Sequence, residues 1–149
     1  MTASVPGALI ALLVSGAACA EGGGDPAQAE RSPPPPTEER YALGAAFVGG
    51  NPRGLAEVLH PELVVQPPSP DSALQGAAAA YLTDLAAHSR LAASELSPQA
   101  FSPEGTFLLE QGTWIVRSGD RVLGSRYHLR WRRVGEGWKV VLLRWSRFR

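Results

Sequence analysis

The chain has 149 residues, with 14 basic and 14 acidic side chains and one cysteine. That length fits one domain with appendages, and 44% hydrophobic residues suffice for a packed core. A lone cysteine excludes an internal disulfide and any multi-cysteine zinc site, and zero net charge gives no whole-chain case for nucleic-acid or membrane binding. The zero is a cancellation. Residues 117–149 carry ten basic and two acidic side chains, a net +8, and the remainder carries a net −8.

Residues 5–20 hold no charged side chain, and residues 8–18 (ALIALLVSGAA) form an apolar run. The run is too short for a transmembrane helix, which needs ~20 residues. Its length and position match the h-region of a secretory signal, although no Lys or Arg precedes it. Gly16-Ala17-Ala18-Cys19 closes the run, and small residues before a lone Cys at this place resemble a bacterial lipobox. There the Cys becomes a lipidated N-terminus; Gly16 stands where Leu is usual. Ala18-Cys19-Ala20 also reads as an A-x-A site for ordinary signal peptidase, which would leave the protein periplasmic or secreted. A third reading is a buried cysteine in a cytosolic helix. On the lipobox reading, residues 1–18 are the signal, and lipidated Cys19 anchors the protein to a membrane of the bacterial cell envelope. Residues 19–36 then form a tether, because EGGGDPAQAERSPPPP (21–36) has almost no apolar bulk. Its proline run predicts a polyproline II rod of ~3.1 Å per residue.

The folded domain is expected over residues 37–149. Thr37 reads as an N-cap, with Glu38 and Glu39 at the positive helix end. Tyr41, Ala45 and Val48 form one stripe, with Leu43 and Phe47 alongside, and Gly49-Gly50 stops the helix. Asn51-Pro52 opens a second helix, with Leu55, Val58 and Leu59 as its apolar face and His60-Pro61 at its end. Residues 63–65 predict a short strand closed by Gln66-Pro67-Pro68-Ser69-Pro70. A third helix is predicted over 74–88, with Ala78, Tyr81, Leu85 and His88 on one face. Strands are predicted over 91–101, 107–116, 122–133 and 138–147, with turns at Ser118-Gly119-Asp120 and Gly135-Glu136-Gly137. Pro98 marks an edge or a bulge in the first of these. Helices followed by antiparallel strands make an α+β pattern.

Several stretches together carry a resemblance. They are Gly112-x-Trp114, Gly124-x-x-Tyr127-x-x-x-Trp131-Arg132-Arg133, Gly137-Trp138-Lys139-Val140-Val141 and Trp145-Ser146. With Leu59-His60-Pro61-Glu62-Leu63-Val64-Val65 and Gly76 upstream, they resemble a SnoaL-like domain of the nuclear transport factor 2-like (ketosteroid-isomerase-like) superfamily. The resemblance covers residues 37–149. It implies a bent antiparallel sheet wrapped around about three N-terminal helices, with a cone-shaped cavity and frequent dimerisation through the sheet. It implies no single activity, because the superfamily includes isomerases, cyclases, dehydratases and non-enzymes. Ketosteroid-isomerase-like relatives carry a basic Asp just before a Pro at the end of the first strand. Here that stretch is Gln66-Pro67-Pro68, so that base is missing.

Pairing Arg117 with Arg121 and Arg133 with Lys139 predicts which strand side chains share a face. The more apolar face, expected to be concave, carries Gln111, Thr113, Ser125 and Tyr127 as its polar groups. They lie among Phe107, Leu109, Ile115, Leu129, Trp131, Leu143 and Trp145, with no carboxylate and no histidine. Tyr81 and His88 reach the same cavity from the third helix. The candidate ligand cavity is therefore Tyr81, His88, Gln111, Thr113, Ser125, Tyr127 and Trp145. The opposite face collects Glu110, Trp114, Arg126, His128, Arg130, Trp138 and Arg144. Its simplest use is cross-strand charge pairing on a solvated or dimer-facing surface; the sharper one is an anion patch flanked by Trp114 and Trp138. Trp114, Arg126, His128 and Arg130 are assigned to a homodimer face, since Trp and Arg dominate interface hot spots.

Three dispersed histidines without a nearby carboxylate make no metal site, and no cofactor is expected. The chain thus reads as an exported, lipid-anchored domain that binds a small apolar ligand or assists assembly in the cell envelope, with no nucleic-acid partner. The alternative is an isomerase-, dehydratase- or hydrolase-like enzyme of the same fold using Tyr127, Tyr81 or His88. An open pocket with converging polar groups favours binding or catalysis; one filled by Trp131, Trp145 and Leu143 favours a scaffold.

Overall fold

The computed structural model describes residues 34–69 and 73–149. The expected signal segment 1–18, Cys19 and the tether as far as residue 33 lie outside the described residues.

The elements in chain order are α1 (Thr37–Ala45), α2 (Leu55–Val58), β1 (Leu59–Gln66), β2 (Leu74–Gln75), α3 (Ala78–His88), β3 (Ala93–Glu104), β4 (Phe107–Ser118), β5 (Arg121–Val134) and β6 (Gly137–Trp145). The strands form one six-stranded sheet in the order β2-β1-β6-β5-β4-β3. The α+β class is as expected, but the sheet is mixed rather than antiparallel, because β1 and β6 run parallel. The hairpins are announced by their turn residues. The β1–β6 pairing closes over a crossover that includes α3 and β3–β5, so no local turn announces it.

Pro36, not Thr37, occupies the N-cap position of α1, and no side chain caps the helix. Pro36 is fully buried, and the Pro34 carbonyl accepts a hydrogen bond from the Trp138 indole at 2.9 Å. Pro34 and Pro36 therefore belong to the packed domain, ahead of the expected boundary at Thr37. Leu43 faces the core from α1, with Ala46 and Phe47 just beyond, while Tyr41 is 79% exposed. The second helix is a single turn. Residues 59–61, expected to complete it, join β1 instead, where Leu59 pairs with Val140. Leu74 and Gln75 pair with β1 as a short strand, so α3 starts only at Ala78. Its buried residues are Ala78, Leu82 and Ala86, spaced by four, and this turns Tyr81, Leu85 and His88 to the edge of the packed face.

Both hairpins are one residue tighter than expected: Ser118 pairs with Arg121, and Arg133 with Trp138. Gly119 and Gly135 have φ of 58° and 61°, so each loop is a two-residue turn opened by a left-handed glycine. A slip of one residue turns a strand over relative to its neighbour. β5 keeps its expected orientation, and β4 is inverted against it. In β6 a bulge between the Arg130–Leu142 and Trp131–Val140 pairs restores the expected facing at Leu143 and Trp145, and leaves Trp138 and Val140 inverted.

The inner face of the sheet is therefore Glu110, Gly112, Trp114 and Val116 from β4, Ser125, Tyr127, Leu129 and Trp131 from β5, and Trp138, Val140, Leu143 and Trp145 from β6. All of these are buried. They pack with Leu43 and Phe47 and with Leu82 and Ala86 of α3 in one core. Each large apolar side chain buried there contributes about 1.5–3 kcal/mol.

Candidate functional site

Inverting β4 carries a carboxylate into the core, where the sequence reading expected none. Glu110 is 0% exposed. Its Oε1 accepts a hydrogen bond from the Tyr127 hydroxyl at 2.6 Å. Its Oε2 accepts from the Trp131 indole at 3.0 Å and from the Arg40 guanidinium at 3.3 Å. Three converging donors offset the cost of burying a carboxylate, and Arg40 supplies the opposite charge. Gly112 makes room for this cluster: a Cβ there would lie 2.1 Å from the Ser97 carbonyl oxygen and 2.7 Å from Tyr127 Oη. Burial first, then the hydrogen bond to Glu110 and its charge, hold the Tyr127 hydroxyl far above the ordinary tyrosine range. Tyr127 is thus a committed donor in a polar tie between α1 and the sheet.

One open space lies between α3 and the ends of β4, β5 and β6. It is a groove of about 520 Å³, walled by Phe47, Leu91, Trp114, Val116, Leu123, Trp145 and Phe148, with Tyr81, Leu85 and His88 along the α3 side. Its size falls in the range of ligand pockets, about 300–1,000 Å³. Trp114 is the hub of its wall. Phe47, Phe148 and Trp145 meet it edge-on, with ring centroids at 5.0, 5.5 and 5.9 Å. The Trp114 indole N–H is satisfied by Ser94 Oγ at 2.9 Å.

Three polar side chains at the rim are engaged locally. Ser89 Oγ donates to the Phe47 carbonyl, Arg90 donates to the carbonyls of Ala87 and Ser89, and His88 Nδ1 lies 2.8 Å from the Asp84 carbonyl oxygen. The groove is left with an apolar wall and a polar lip. Neither Glu110 nor Tyr127 lines it.

Of the expected cavity residues, Tyr81, His88 and Trp145 meet in this groove. Trp131 and Leu143 fill the interior instead. Gln111 and Thr113 lie on the outer side of β4, where Thr113 Oγ1 accepts from Gln99 at 3.0 Å. Ser125 faces inward but donates its hydroxyl to the Ser146 carbonyl at 2.7 Å. Of the expected dimer-face residues, Trp114 is inward and only 3% exposed, so it belongs to the groove and not to the outer face. Trp138 is likewise inward, with the Arg133 guanidinium 5.4 Å from its ring. Arg126, His128 and Arg130 do face outward. Arg130 pairs with Glu104 at 2.8 Å. His128 sits opposite Arg144, and burial, then the charges of Arg144 and Arg126, hold its imidazole below the ordinary value.

The trace missed at the sequence level was the two-residue turn. Read as a tight glycine turn at Gly119-Asp120, it would have placed Glu110 and Trp114 inside and Gln111 and Thr113 outside. Among the described residues, no three His, Cys, Asp or Glu side chains gather as a metal site requires.

Solved structures share this architecture at low identity. A nuclear transport factor 2-like protein of unknown function in nutrient uptake from Rhodospirillum rubrum is 20% identical, with a TM-score of 0.59 over 74% of this chain and 95% of that one. A structure from Thiobacillus denitrificans, assigned as a calcium/calmodulin-dependent protein kinase type II association domain, is 21% identical, with a TM-score of 0.61 over 76% of this chain and 94% of that one. A nuclear transport factor 2-like protein of unknown function from Shewanella baltica is 10% identical, with a TM-score of 0.60 over 76% and 90%. No protein-family model and no curated protein sequence matches the chain. The fold is nuclear transport factor 2-like.

Proposed function

We propose that this nuclear transport factor 2-like domain is a binding module that holds a small, mainly apolar molecule in the aromatic groove beside α3. The observation that carries the reading is the Trp114-centred wall, with Phe47, Trp145 and Phe148 packed edge-on around it and Ser89, Arg90 and His88 at the rim already engaged. Such a wall favours apolar contact and offers few places for a polar substrate. Catalysis would need a base against the bound molecule. Glu110 and Tyr127 are committed to each other, and His88 stands at the rim against Asp84.

The remaining parts of the reading rest on sequence pattern. They are the SnoaL-like relationship, export by the signal at residues 1–18, and anchoring to the cell envelope through lipidated Cys19. A homodimer through the outer sheet face belongs to it as well. Its contact would centre on Phe107, Leu109 and Ile115 of β4, because bringing two copies of Arg126, His128 and Arg144 together opposes like charges.

The test is a titration of the full chain with a solvatochromic apolar dye. Wild type should bind it saturably with a blue shift, and Leu123→Asp should weaken binding about tenfold or more while keeping the circular dichroism of the fold. Unsaturable binding, or equal binding by the variant, would reject the groove. Fatty-acid metabolic labelling tests the anchor separately: wild type should be labelled and Cys19→Ser should not, and equal labelling would reject it.

A further inference from the structure

The outer face carries a second concavity, of about 770 Å³, where the ends of β5 and β6 meet the chain leaving β1. Arg126, His128, Arg144, Arg147 and Arg149 line it, with Gln66 on the opposite wall. An adjoining hollow of about 470 Å³ shares Arg126, Arg147 and Arg149. Register explains the convergence. Arg126 and His128 alternate outward along β5, and Arg144 sits directly across from His128 on β6.

After β6 the chain stays zipped to β5. The Ser146 N–H donates to the Arg126 carbonyl, Arg149 N–H donates to the Gly124 carbonyl, and Gly124 N–H donates back to Arg149. Phe148 turns inward, where it packs on Trp114, while Arg147 and Arg149 stay with the outer hollow. The two arginines are therefore held by backbone hydrogen bonds and an aromatic anchor.

These guanidinium groups differ from the arginines that are ion-paired. Arg40, Arg130 and Arg132 each have a carboxylate partner, in Glu110, Glu104 and Glu62. Among the described residues, no carboxylate pairs with Arg126, Arg144, Arg147 or Arg149, and no described residue lining the concavity is acidic. Like charges directly across a strand pair oppose folding. Four guanidinium forks around one hollow, without a carboxylate partner among the described residues, suit a multiply charged tetrahedral anion, which can accept several bidentate hydrogen bonds at once.

We propose that this concavity is a binding site for a phosphate group carrying more than one negative charge, borne either on a soluble molecule or on a lipid headgroup. Its arginines and His128 lie on the other face of the sheet from the apolar groove, with which the concavity shares Pro68 and Trp145 at its edge.

The experiment uses the full chain carrying Cys19→Ser, so that no acyl anchor contributes, with two probes. Inorganic pyrophosphate is titrated by calorimetry. Sedimentation with vesicles compares phosphatidylcholine alone with phosphatidylcholine containing phosphatidic acid. The test variant adds Arg144→Gln and Arg147→Gln; the charge control adds Arg130→Gln and Arg132→Gln, removing the same number of charges from paired arginines of the same face. Saturable pyrophosphate binding that falls about tenfold or more in the test variant, and less than about twofold in the control, supports the site and a soluble source. Retention only on phosphatidic acid vesicles, lost in the test variant and kept in the control, supports the site and a lipid source. Binding of neither probe, or equal loss in test and control, overturns the proposal and leaves only diffuse surface charge.

Discussion

Tyr127 pairs with Gly112 across the β4–β5 ladder, and its hydroxyl reaches over that glycine to Glu110 at 2.6 Å. The contact ties a carboxylate that no water reaches to a phenol that cannot ionise near neutral pH. Removing either side leaves a buried polar group without its partner. Glu110→Ala strands the Tyr127 hydroxyl, the Trp131 indole and the largely buried Arg40 together, and should cost about 3–5 kcal/mol. Tyr127→Phe removes one donor and should cost about 1–3 kcal/mol. Urea unfolding of both variants and the double variant checks this. The pair should show coupling above about 0.5 kcal/mol, and strict additivity would contradict it.

Gly112 is required by the same contact. A Cβ at that position collides with the Ser97 carbonyl on one side and the Tyr127 ring on the other. Gly112→Ala should therefore destabilise by about 3 kcal/mol, as overpacking, despite the better strand propensity of alanine. Tyr127→Phe in the same chain should not rescue it, because the Ser97 backbone obstacle remains. A midpoint of urea unfolding unchanged by Gly112→Ala would contradict the close approach.

Trp114 and Ile115 are neighbours in sequence but point to opposite faces, and they should fail differently. Trp114→Ala empties the hub of the groove and should cost about 3–5 kcal/mol, with sedimentation of the folded protein unaltered. Ile115 is 40% exposed on the outer side, and Ile115→Asp should shift sedimentation toward monomer with stability changed by less than about 0.5 kcal/mol. The reverse pattern would mean that β4 is inverted relative to this register.

His128 gives the outer face a pH signature. It faces Arg144 across β6, Gln111 across β4, and Arg126 and Arg130 along its own strand. Burial and the Arg144 and Arg126 charges lower its pKa below the ordinary 6.5, so the unfolded chain takes up the proton first as pH falls. The stability supplied by neutral His128 is present above about 6.5 and is lost as pH drops through that value toward the folded-state pKa. Arg144→Gln should raise the His128 pKa in an NMR titration and reduce this acid sensitivity. An unmoved titration would contradict the pairing of His128 with Arg144.

What the sequence showed and hid follows from range. The strands at Phe107–Ser118, Arg121–Val134 and Gly137–Trp145 were legible within a residue or two, because β-branched and aromatic runs and glycine turns are local signals. The orientation of β4 was not, because a single residue in the turn at Gly119-Asp120 decides which face Glu110 meets. Leu59 to Pro61 read as a helix end because the β6 partner of Leu59, Val140, lies far along the chain. Tyr81, His88 and Trp145 meet in one groove because α3 and β6 set them there whatever the β4 register. The polar tie of Glu110 with Arg40 joins residues 70 positions apart, and no local pattern announces it.

Native mass spectrometry of the full chain, extracted in mild detergent from the cells that produce it, tests the groove most directly. Wild type is expected to carry one small apolar molecule that survives gentle transfer and is released on activation, and Leu123→Asp, folded by circular dichroism, is expected to arrive without it. A wild-type protein with no bound mass that also fails to take up the apolar dye, or a bound mass retained equally by Leu123→Asp, would contradict a ligand-holding groove beside α3.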